Sequence, residues 1–315
     1  MVIKNEDSMI EVKNLTKNYG NKTAIQGLNF TLKKGEIVGL LGLNGSGKTT
    51  TIRILTGFLV PSEGEVQIDG KSNFTDPMES KKKIGYLPET PPLYEEMTVR
   101  EYLDYAGKIK GLSKDALGSE IERVSSMTNL LGVKDTVISH LSLGFRKRVG
   151  IAQALLGNPP IIIMDEPISG LDPKQILDMR NLIQGLAGKH TVLLSSHILS
   201  EVQKTCDRFI FLHQGKITHD YKSAELDIQL AKYALLEVQF SGKKKEECIS
   251  YLKSIDPGVQ VVETLEDSGG LTFGLKVTLP DFTDRLLDTY KQAGLKIGFF
   301  KRQTLTLERI FMDNI

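Results

Sequence analysis

Short runs of alternating apolar and polar residues fill the first part of the chain. They lie at residues 9–12, 28–32 and 36–41, and turn-forming residues separate them. Alternation with a period of two is typical of strands that bury one face, and glycine or asparagine between such runs favours turns. The pattern therefore predicts that these three runs form an antiparallel β layer.

Two later runs are largely apolar instead of alternating. They occupy residues 161–164 and 191–196. Strands that are covered on both faces have this composition. Strand and helix patterns alternate between residues 35 and 196, so we expect a mostly parallel sheet with helices on its faces.

Helical periodicity dominates the segment between these strands. Thr98 is a suitable N-cap, and Glu101 follows three residues later, as in a capping box. A second helical pattern covers about residues 114–131, with apolar residues spaced by 3, 3 and 4 at Ile121, Val124, Met127 and Leu131. These patterns predict a helical insert, over about residues 90–158, between strands of the core.

The pattern changes again near residue 220. The order of predicted elements becomes β-α-β-β-α-β, which is the split βαβ arrangement of a ferredoxin-like fold. The predicted segments are residues 235–240, 243–254, 258–265, 271–279, 281–293 and 295–302. We therefore predict a flexible leader (residues 1–8), a large α/β domain (9–220) and a small C-terminal α+β domain (221–315), with a hinge near residues 218–232.

Composition narrows the range of functions. The chain has 315 residues, a formal net charge of +1 and two cysteines without metal or redox spacing. Residues 221–315 hold 13 Lys or Arg and 14 Asp or Glu, so no basic surplus favours nucleic acid. No run is apolar and long enough to span a bilayer. We expect a cytoplasmic protein whose role at a membrane requires a partner.

A glycine-rich loop carries the strongest chemical signal. Residues 42–49 fit the pattern G-x-x-x-x-G-K-[ST] of a nucleotide phosphate loop, with a strand pattern before them and a helix pattern after them. Backbone N–H groups and the positive end of the helix would bind phosphate, and the bland alternative is a flexible turn before a helix. The candidate ATP ligands are Gly42, Asn44, Gly45, Ser46, Gly47, Lys48, Thr49 and Thr50. Lys48 would reach the β- and γ-phosphates, and the Thr49 hydroxyl would ligate Mg²⁺.

Two adjacent carboxylates follow the apolar run at residues 161–164. Asp165 and Glu166 would lie where a strand's carboxyl end meets the phosphate loop. Asp165 would hold Mg²⁺ and Glu166 would polarise the attacking water. The alternative is an ordinary solvated strand end, and the phosphate loop favours the catalytic interpretation.

The order of five motifs resembles the ATP-binding cassette ATPases over about residues 9–220. The fold class implied is a P-loop NTPase cassette, α/β, with an antiparallel β layer and a helical insert. The motifs are the phosphate loop, Leu141-Ser142-Leu143-Gly144, Asp165-Glu166-Pro167, Ser169-Gly170-Leu171-Asp172-Pro173 and Ser195-Ser196-His197. The resemblance implies an ATPase that uses ATP and Mg²⁺.

The resemblance also implies that two copies close head to tail around two ATP molecules. Ser142 and Gly144 of one copy would then cap the γ-phosphate bound by the other, and Asp172 would lie at the interface. His197 resembles the switch histidine that contacts the γ-phosphate, although a lone histidine after a strand is more often a surface residue. Tyr19 resembles the aromatic residue that stacks on adenine, and its alternative is a tyrosine that packs on the sheet.

Three residues depart from the family pattern. Leu143 replaces the usual glycine, Phe145 replaces the usual glutamine, and Glu89 stands where the family has glutamine. A carboxylate at residue 89 can still ligate Mg²⁺, but it adds negative charge beside a polyanion. We hypothesise that Glu89 acts in the glutamine's place, and the alternative is a solvated turn residue.

Phe145, Glu89 and residues 90–98 resemble one subset of prokaryotic cassettes. These are stand-alone ATPases of exporters for drug resistance, sodium export or gliding motility. The implied partner is an integral membrane permease, which would hold the chain at the inner face of the membrane. Candidate contact residues are Tyr94, Met97, Val99 and Tyr102, although packing of the insert explains them equally well. The alternative function is an ATP-gated protein that acts on ribosomes or DNA, but such proteins have two cassettes or a long coiled coil.

Overall fold

The computed structural model describes residues 7–225 and 235–303, apart from residues 268, 278 and 280. The chain divides into two units, Met1–Ser223 and Ala224–Ile315. Residues 1–6 of the predicted leader and residues 226–232 of the predicted hinge lie outside the described residues. The first residues of that hinge are not a linker, because Asp220, Tyr221 and Lys222 pair with Ile210, Phe209 and Arg208 in a sheet.

An antiparallel sheet forms one layer of the first unit. Its order is β2-β1-β4-β5, and the strands are β1 (Ser8–Tyr19), β2 (Lys22–Lys33), β4 (Glu63–Ile68) and β5 (Lys71–Ser72). The sequence prediction placed residues 36–41 in this layer, and that part was wrong. The corresponding strand, β3 (Ile37–Leu41), is buried at all five residues and pairs in parallel with strands of the second sheet.

The second sheet has six strands in the order β10-β9-β3-β8-β7-β6. All pairs are parallel except that of β9 and β10. The further strands are β6 (Ile84–Leu87), β7 (Ile161–Met164), β8 (Thr191–Ser196), β9 (Arg208–His213) and β10 (Lys216–Lys222). Because β3, β6, β7 and β8 are parallel, the loops after them meet at one edge of the sheet, as expected for an open α/β fold.

The main core lies between the two sheets and α1. Side chains of Ile10 and Leu28 from the antiparallel layer share it with Leu40 and Ile163 of the parallel sheet. Seven helices accompany the sheets in the described part of this unit. They are α1 (Lys48–Leu55), α2 (Pro77–Lys82), α3 (Val99–Ile109), α4 (Lys114–Met127), α5 (Leu143–Leu155), α6 (Pro173–Gln184) and α7 (Leu199–Gln203).

The helical insert contains α3, α4 and α5. The capping box of α3 is present, with Thr98 and Glu101 bonded to each other's backbone. The second helix ends at Met127 and not near residue 131, because Asn129 adopts a φ of 56° that stops the helix. Leu131 consequently lies in a short 3-10 turn and is 45% exposed. Among the described residues, no helix combines the length and apolarity that crossing a bilayer requires.

The second unit has its own sheet and core. Its elements are β11 (Leu235–Ser241), α8 (Lys245–Ile255), β12 (Gln260–Asp267), β13 (Gly270–Lys276), α9 (Phe282–Thr289) and β14 (Lys296–Gln303). The sheet order is β12-β13-β11-β14 with antiparallel pairing throughout. This is the predicted β-α-β-β-α-β arrangement. Phe240 and Phe273 of the sheet pack with Leu252 and Leu286 of the two helices.

Candidate active site

The phosphate loop joins β3 to α1 in a conformation that requires glycine. Gly45 and Gly47 have φ angles of 82° and 110°, in the left-handed region. A Cβ atom on Gly47 would also lie 2.6 Å from the Ile25 side chain of the adjacent hairpin. Since Gly47 is the N-cap and has no side chain, the first N–H groups of α1 remain available to an anion.

Lys48 and Ser46 lie inside this loop. The Lys48 ammonium donates to the Gly42 carbonyl at 2.7 Å and to the Leu43 carbonyl at 3.3 Å. Ser46 is buried, and its Oγ finds no hydrogen-bond partner in the part of the chain that the structure describes. A buried hydroxyl without a partner is costly, so its presence fits a loop that is completed by a polar ligand. Of the other predicted loop residues, Gly42 is buried, Asn44 and Gly45 are exposed, and Gly47, Thr49 and Thr50 are half-buried.

The two predicted carboxylates are both buried, with Asp165 2% and Glu166 6% exposed. Asp165 accepts a hydrogen bond from the Ser195 hydroxyl at 2.6 Å, and its own N–H donates to the Leu87 carbonyl at 2.8 Å. The Glu166 N–H donates to the same Ser195 hydroxyl at 2.9 Å. Asp165 is therefore not a solvated strand end, because Ser195 of the neighbouring strand fixes it.

Glu166 connects the phosphate loop to the histidine after β8. One carboxylate oxygen, Oε1, lies 3.6 Å from the Lys48 ammonium, and the other, Oε2, lies 2.8 Å from Nδ1 of His197. The Glu166 backbone has a φ of 48°, which is uncommon for a residue with a side chain. The structure thus brings together the three predicted catalytic residues Lys48, Glu166 and His197.

Lys147 is a site residue that the sequence analysis missed. It lies on α5, is 3% exposed, and its ammonium donates to the Glu166 carbonyl at 2.7 Å. Burial lowers the pKa of Lys147, while the negative charges of Glu89, Glu166 and Asp165 raise it. It lies within the basic run Arg146-Lys147-Arg148, and lysine is mostly exposed in folded proteins. The available signal was helical spacing, since Lys147 lies three residues before Gly150 and four before Ile151, on the buried face of α5.

The candidate Mg²⁺ ligands supply oxygen atoms only. Thr49 is half-buried at the start of α1, Asp165 is buried after β7, and Glu89 is exposed two residues after β6. Hydroxyl and carboxylate oxygens are the donors that Mg²⁺ prefers, together with water and phosphate oxygens. Within the described ranges, no group of three or more His, Cys, Asp or Glu is arranged to hold a metal. This sparse set suits Mg²⁺ that is bound together with a nucleotide.

Tyr86 lies beside the carboxylates, at the end of β6. Burial and the negative charge of Asp165 raise the pKa of the Tyr86 hydroxyl to about 12, against a smaller opposite effect of Arg53. Tyr86 is therefore neutral at physiological pH. Its ring packs against Phe58, with ring centroids 5.6 Å apart.

Ser142, Gly144 and Asp172 lie together on a different surface. Ser142 is exposed and caps α5 by accepting from the Phe145 N–H at 3.4 Å. A Cβ atom on Gly144 would lie 2.9 Å from Gln175 of α6, and Asp172 caps α6 through the Gln175 N–H at 2.9 Å. In the described part of the chain, no hydrogen bond joins these residues to residues 42–49.

Tyr19 lies at the exposed end of β1. Its ring is 48% exposed, and the Lys17 ammonium lies 5.4 Å from the ring centroid. The next strand, β2, contacts the phosphate loop through Ala24 and Ile25, which surround Gly47. About half of the Tyr19 ring is therefore exposed, and stacking on adenine stays a prediction.

Comparison with known proteins decides the family. The family model described as ABC transporter matches residues 25–169. The bacitracin transport ATP-binding protein BcrA of Bacillus licheniformis is 39% identical over 240 residues, covering 76% of this chain and 77% of that protein. The BcrA protein of Enterococcus faecalis is 32% identical over 306 residues, covering 96% and 91%. The chain belongs to the ABC transporter ATP-binding proteins.

A solved structure agrees with this assignment. A dimeric ATP-binding cassette in a post-hydrolysis state, bound to ADP and Pi, is 30% identical with a TM-score of 0.61. The match covers 68% of this protein and 99% of that cassette. The cassette is accordingly an ATP-binding and ATP-hydrolysing subunit of an ABC transporter. The predicted family, fold class and enzymatic activity are confirmed.

Proposed function

We propose that this cassette drives an exporter by closing head to tail with a second copy around ATP. Glu166 carries the proposal, because its buried carboxylate contacts both Lys48 and His197 beside the phosphate loop. Relatives named for bacitracin transport support export as the process. The transported compound would pass through a separate integral membrane permease, which would hold the cassette at the inner face of the membrane.

Within one site, each residue has a separate task. Residues 42–47 and the start of α1 bind the β- and γ-phosphates, and the Lys48 ammonium balances their charge. Tyr19 stacks on adenine. Mg²⁺, held by Thr49, Asp165 and Glu89 together with phosphate oxygens, would neutralise negative charge that develops on the phosphates. Glu166 accepts a proton from the attacking water through its Oε2, and His197 orients this carboxylate and contacts the γ-phosphate.

The opposite side of the site would come from the second copy. Ser142 is exposed at the start of α5 and Gly144 is buried in its first turn, and neither makes a hydrogen bond to residues 42–49 in the described part of its own chain. The start of a helix attracts anions, so this surface suits the γ-phosphate bound by a partner. Asp172, which caps α6 next to Gly144, would then lie at the dimer interface.

The permease would dock in a groove beside the helical insert. This cavity has a volume of about 750 Å³ and is lined by Phe58, Tyr86 and Tyr102, among others. Phe58 in this lining is 73% exposed, and Tyr94, whose ring centroid lies 6.2 Å from that of Tyr102, is 48% exposed, so apolar surface is available beside the groove. Val99, a predicted contact residue, is fully buried inside the insert and is excluded from this surface.

Replacing Glu166 with Gln tests the proposal. The amide keeps the size of the side chain but cannot accept the proton, so kcat should fall by roughly 100-fold or more. ATP binding should persist, and ATP should trap the variant as a dimer, measured by size-exclusion chromatography with light scattering. Near-normal turnover would show that Glu166 is not the base. Lys48→Ala is the matched variant, because it should lose nucleotide binding itself.

A further inference from the structure

Lys147 is a buried cation whose position none of the proposed tasks requires. It is 3% exposed, on the face of α5 that packs against the parallel sheet. Its ammonium donates to the carbonyl oxygen of Glu166 at 2.7 Å. Burying an ammonium is costly unless compensating charges surround it, so the residues around Lys147 must provide them.

The loop that contains Glu89 packs directly on the same face of α5. A Cβ atom on Gly150, one turn after Lys147, would lie 2.5 Å from Leu87 and 3.0 Å from Pro91. These two residues flank Glu89. The parallel pairing of Leu87 with Met164 also places Glu89 and Glu166 at the same edge of the sheet.

The negative charges of three nearby carboxylates act on the Lys147 ammonium, whose direct contact is with the Glu166 backbone carbonyl. Burial lowers the pKa of Lys147, and the charges of Glu89, Glu166 and Asp165 act in the opposite direction, with Glu89 the largest of the three. The sequence has a carboxylate at Glu89 where a neutral amide is usual in this family. The additional negative charge beside the triphosphate needs compensation.

The Glu166 backbone also needs support. Its left-handed conformation is unfavourable for a residue with a side chain, and such conformations persist only when surrounding contacts hold them. The Ser195 hydroxyl binds the Glu166 N–H, and Lys147 binds the Glu166 carbonyl. These two contacts fix the peptide units on both sides of Glu166.

We propose that Lys147 is a positioning residue that holds the Glu166 backbone and supplies the counter-charge that makes a carboxylate at Glu89 acceptable beside ATP. Glu89 and Lys147 thus form a functional pair within one chain. The inference rests on the proposed roles of Glu166 and Glu89. It predicts that removing the charge of Lys147 alone or of Glu89 alone lowers kcat. Removing both charges should lower kcat by less than the two single effects combined.

A double-mutant cycle with Lys147→Gln, Glu89→Gln and the double variant tests the pair. Lys147→Gln should lower kcat roughly tenfold while the KM for ATP changes little, since the substitution disturbs Glu166 and not the phosphate loop. The kcat of the double variant should be at least about fivefold higher than that of Lys147→Gln. Lys147→Arg, which keeps the charge, should retain more turnover than Lys147→Gln. Arg146→Gln is the matched control, because it removes a neighbouring cation that pairs with Glu95 outside the site.

Thermal unfolding of the nucleotide-free protein in EDTA supplies a second readout. Lys147→Gln should lower the Tm, and adding Glu89→Gln should restore part of the loss, because fewer uncompensated carboxylates remain. Strictly additive effects on both kcat and Tm would show that Glu89 and Lys147 do not form a functional pair. If neither Lys147→Gln nor the double variant folds, Lys147 is a packing residue and the proposal fails. Near-normal turnover of Glu166→Gln would overturn the role of Glu166 but would leave the coupling in Tm unchanged.

Discussion

At the scale of single residues, the Ser195 hydroxyl makes hydrogen bonds to both Asp165 and Glu166. Ser195 is fully buried, donates to Asp165 and accepts from the Glu166 N–H. The hydroxyl thus donates to a buried carboxylate and fixes the chain between β7 and Glu166, the proposed catalytic base. Groups that orient a metal ligand or a base in this way commonly affect activity almost as much as the ligands do.

Ser195→Ala should therefore lower both stability and turnover. Loss of the hydroxyl leaves the buried Asp165 carboxylate short of a donor, which should reduce the free energy of unfolding by about 2 kcal/mol. The kcat for ATP should fall by roughly tenfold or more. Urea unfolding and steady-state kinetics measure the two effects.

Thr191→Ala provides the control on the same strand. Thr191 is equally buried, but its hydroxyl binds the backbone of Gly35 and Lys33 at the opposite end of β8. This variant should lose stability and keep its turnover. Equal losses of turnover in both variants would mean that Ser195 acts only through stability.

At the scale of elements, helix ends determine the position of the insert. The capping box fixes the start of α3, which packs on α5, the helix that begins with Ser142. The end of α5 is fixed as well, because the Lys110 ammonium donates to the carbonyls of Gln153, Ala154 and Leu156. A local cap on α3 and long-range contacts of Lys110 thus hold α5, the helix that would contact the second copy.

Removing the capping box should loosen α3. Thr98→Ala should reduce the free energy of unfolding by about 1 kcal/mol, because the N–H of Glu101 loses its side-chain acceptor. Hydrogen–deuterium exchange should accelerate at residues 99–102. Unchanged exchange in this first turn would contradict the proposed role of the cap.

The same cap should be sensitive to acid. Hydrogen bonds from the Thr98 backbone and hydroxyl lower the pKa of Glu101 below its ordinary value of 4.5. Since the folded state has the lower pKa, the stabilisation is complete above about pH 4.5 and is lost as the pH falls through the folded value. The stability difference between wild type and Glu101→Gln should therefore shrink below about pH 4.5 in urea titrations. A difference that is constant with pH would contradict this assignment.

At the scale of the whole molecule, the two halves of the proposed site lie on separate surfaces of one chain. The phosphate loop, Glu166 and His197 lie at the edge of the parallel sheet, whereas Ser142 and Gly144 lie at the junction of α5 and α6. A head-to-tail pair of chains is the arrangement in which both halves meet. Hydrolysis should therefore depend on association.

Mixing two inactive variants tests this dependence. Lys48→Ala should disable phosphate binding, and Ser142→Glu should place a carboxylate against the partner's γ-phosphate. A mixed head-to-tail dimer then contains one intact site, made of the loop from the second variant and Ser142 from the first. ATPase activity of the mixture should exceed the sum of the separate variants. No gain on mixing, with both variants folded, would place the whole site within one chain.

The sequence by itself determined the family motifs, the candidate residues that they contain and much of the local structure. The glycine loop, the adjacent carboxylates after an apolar run and the capping box are local patterns, because their backbone conformation depends on nearby residues. The order of predicted elements was likewise sufficient for the arrangement of the C-terminal sheet.

Tertiary structure decided what depends on distant partners. The strand at residues 37–41 joins the parallel sheet and not the antiparallel layer, because both of its faces are covered by segments far away in the chain. Lys147 is buried, because α5 packs against the loop that contains Glu89 and brings the Lys147 ammonium to the Glu166 carbonyl. Burial and charge pairing are set by these long-range contacts, and local residue patterns do not encode them.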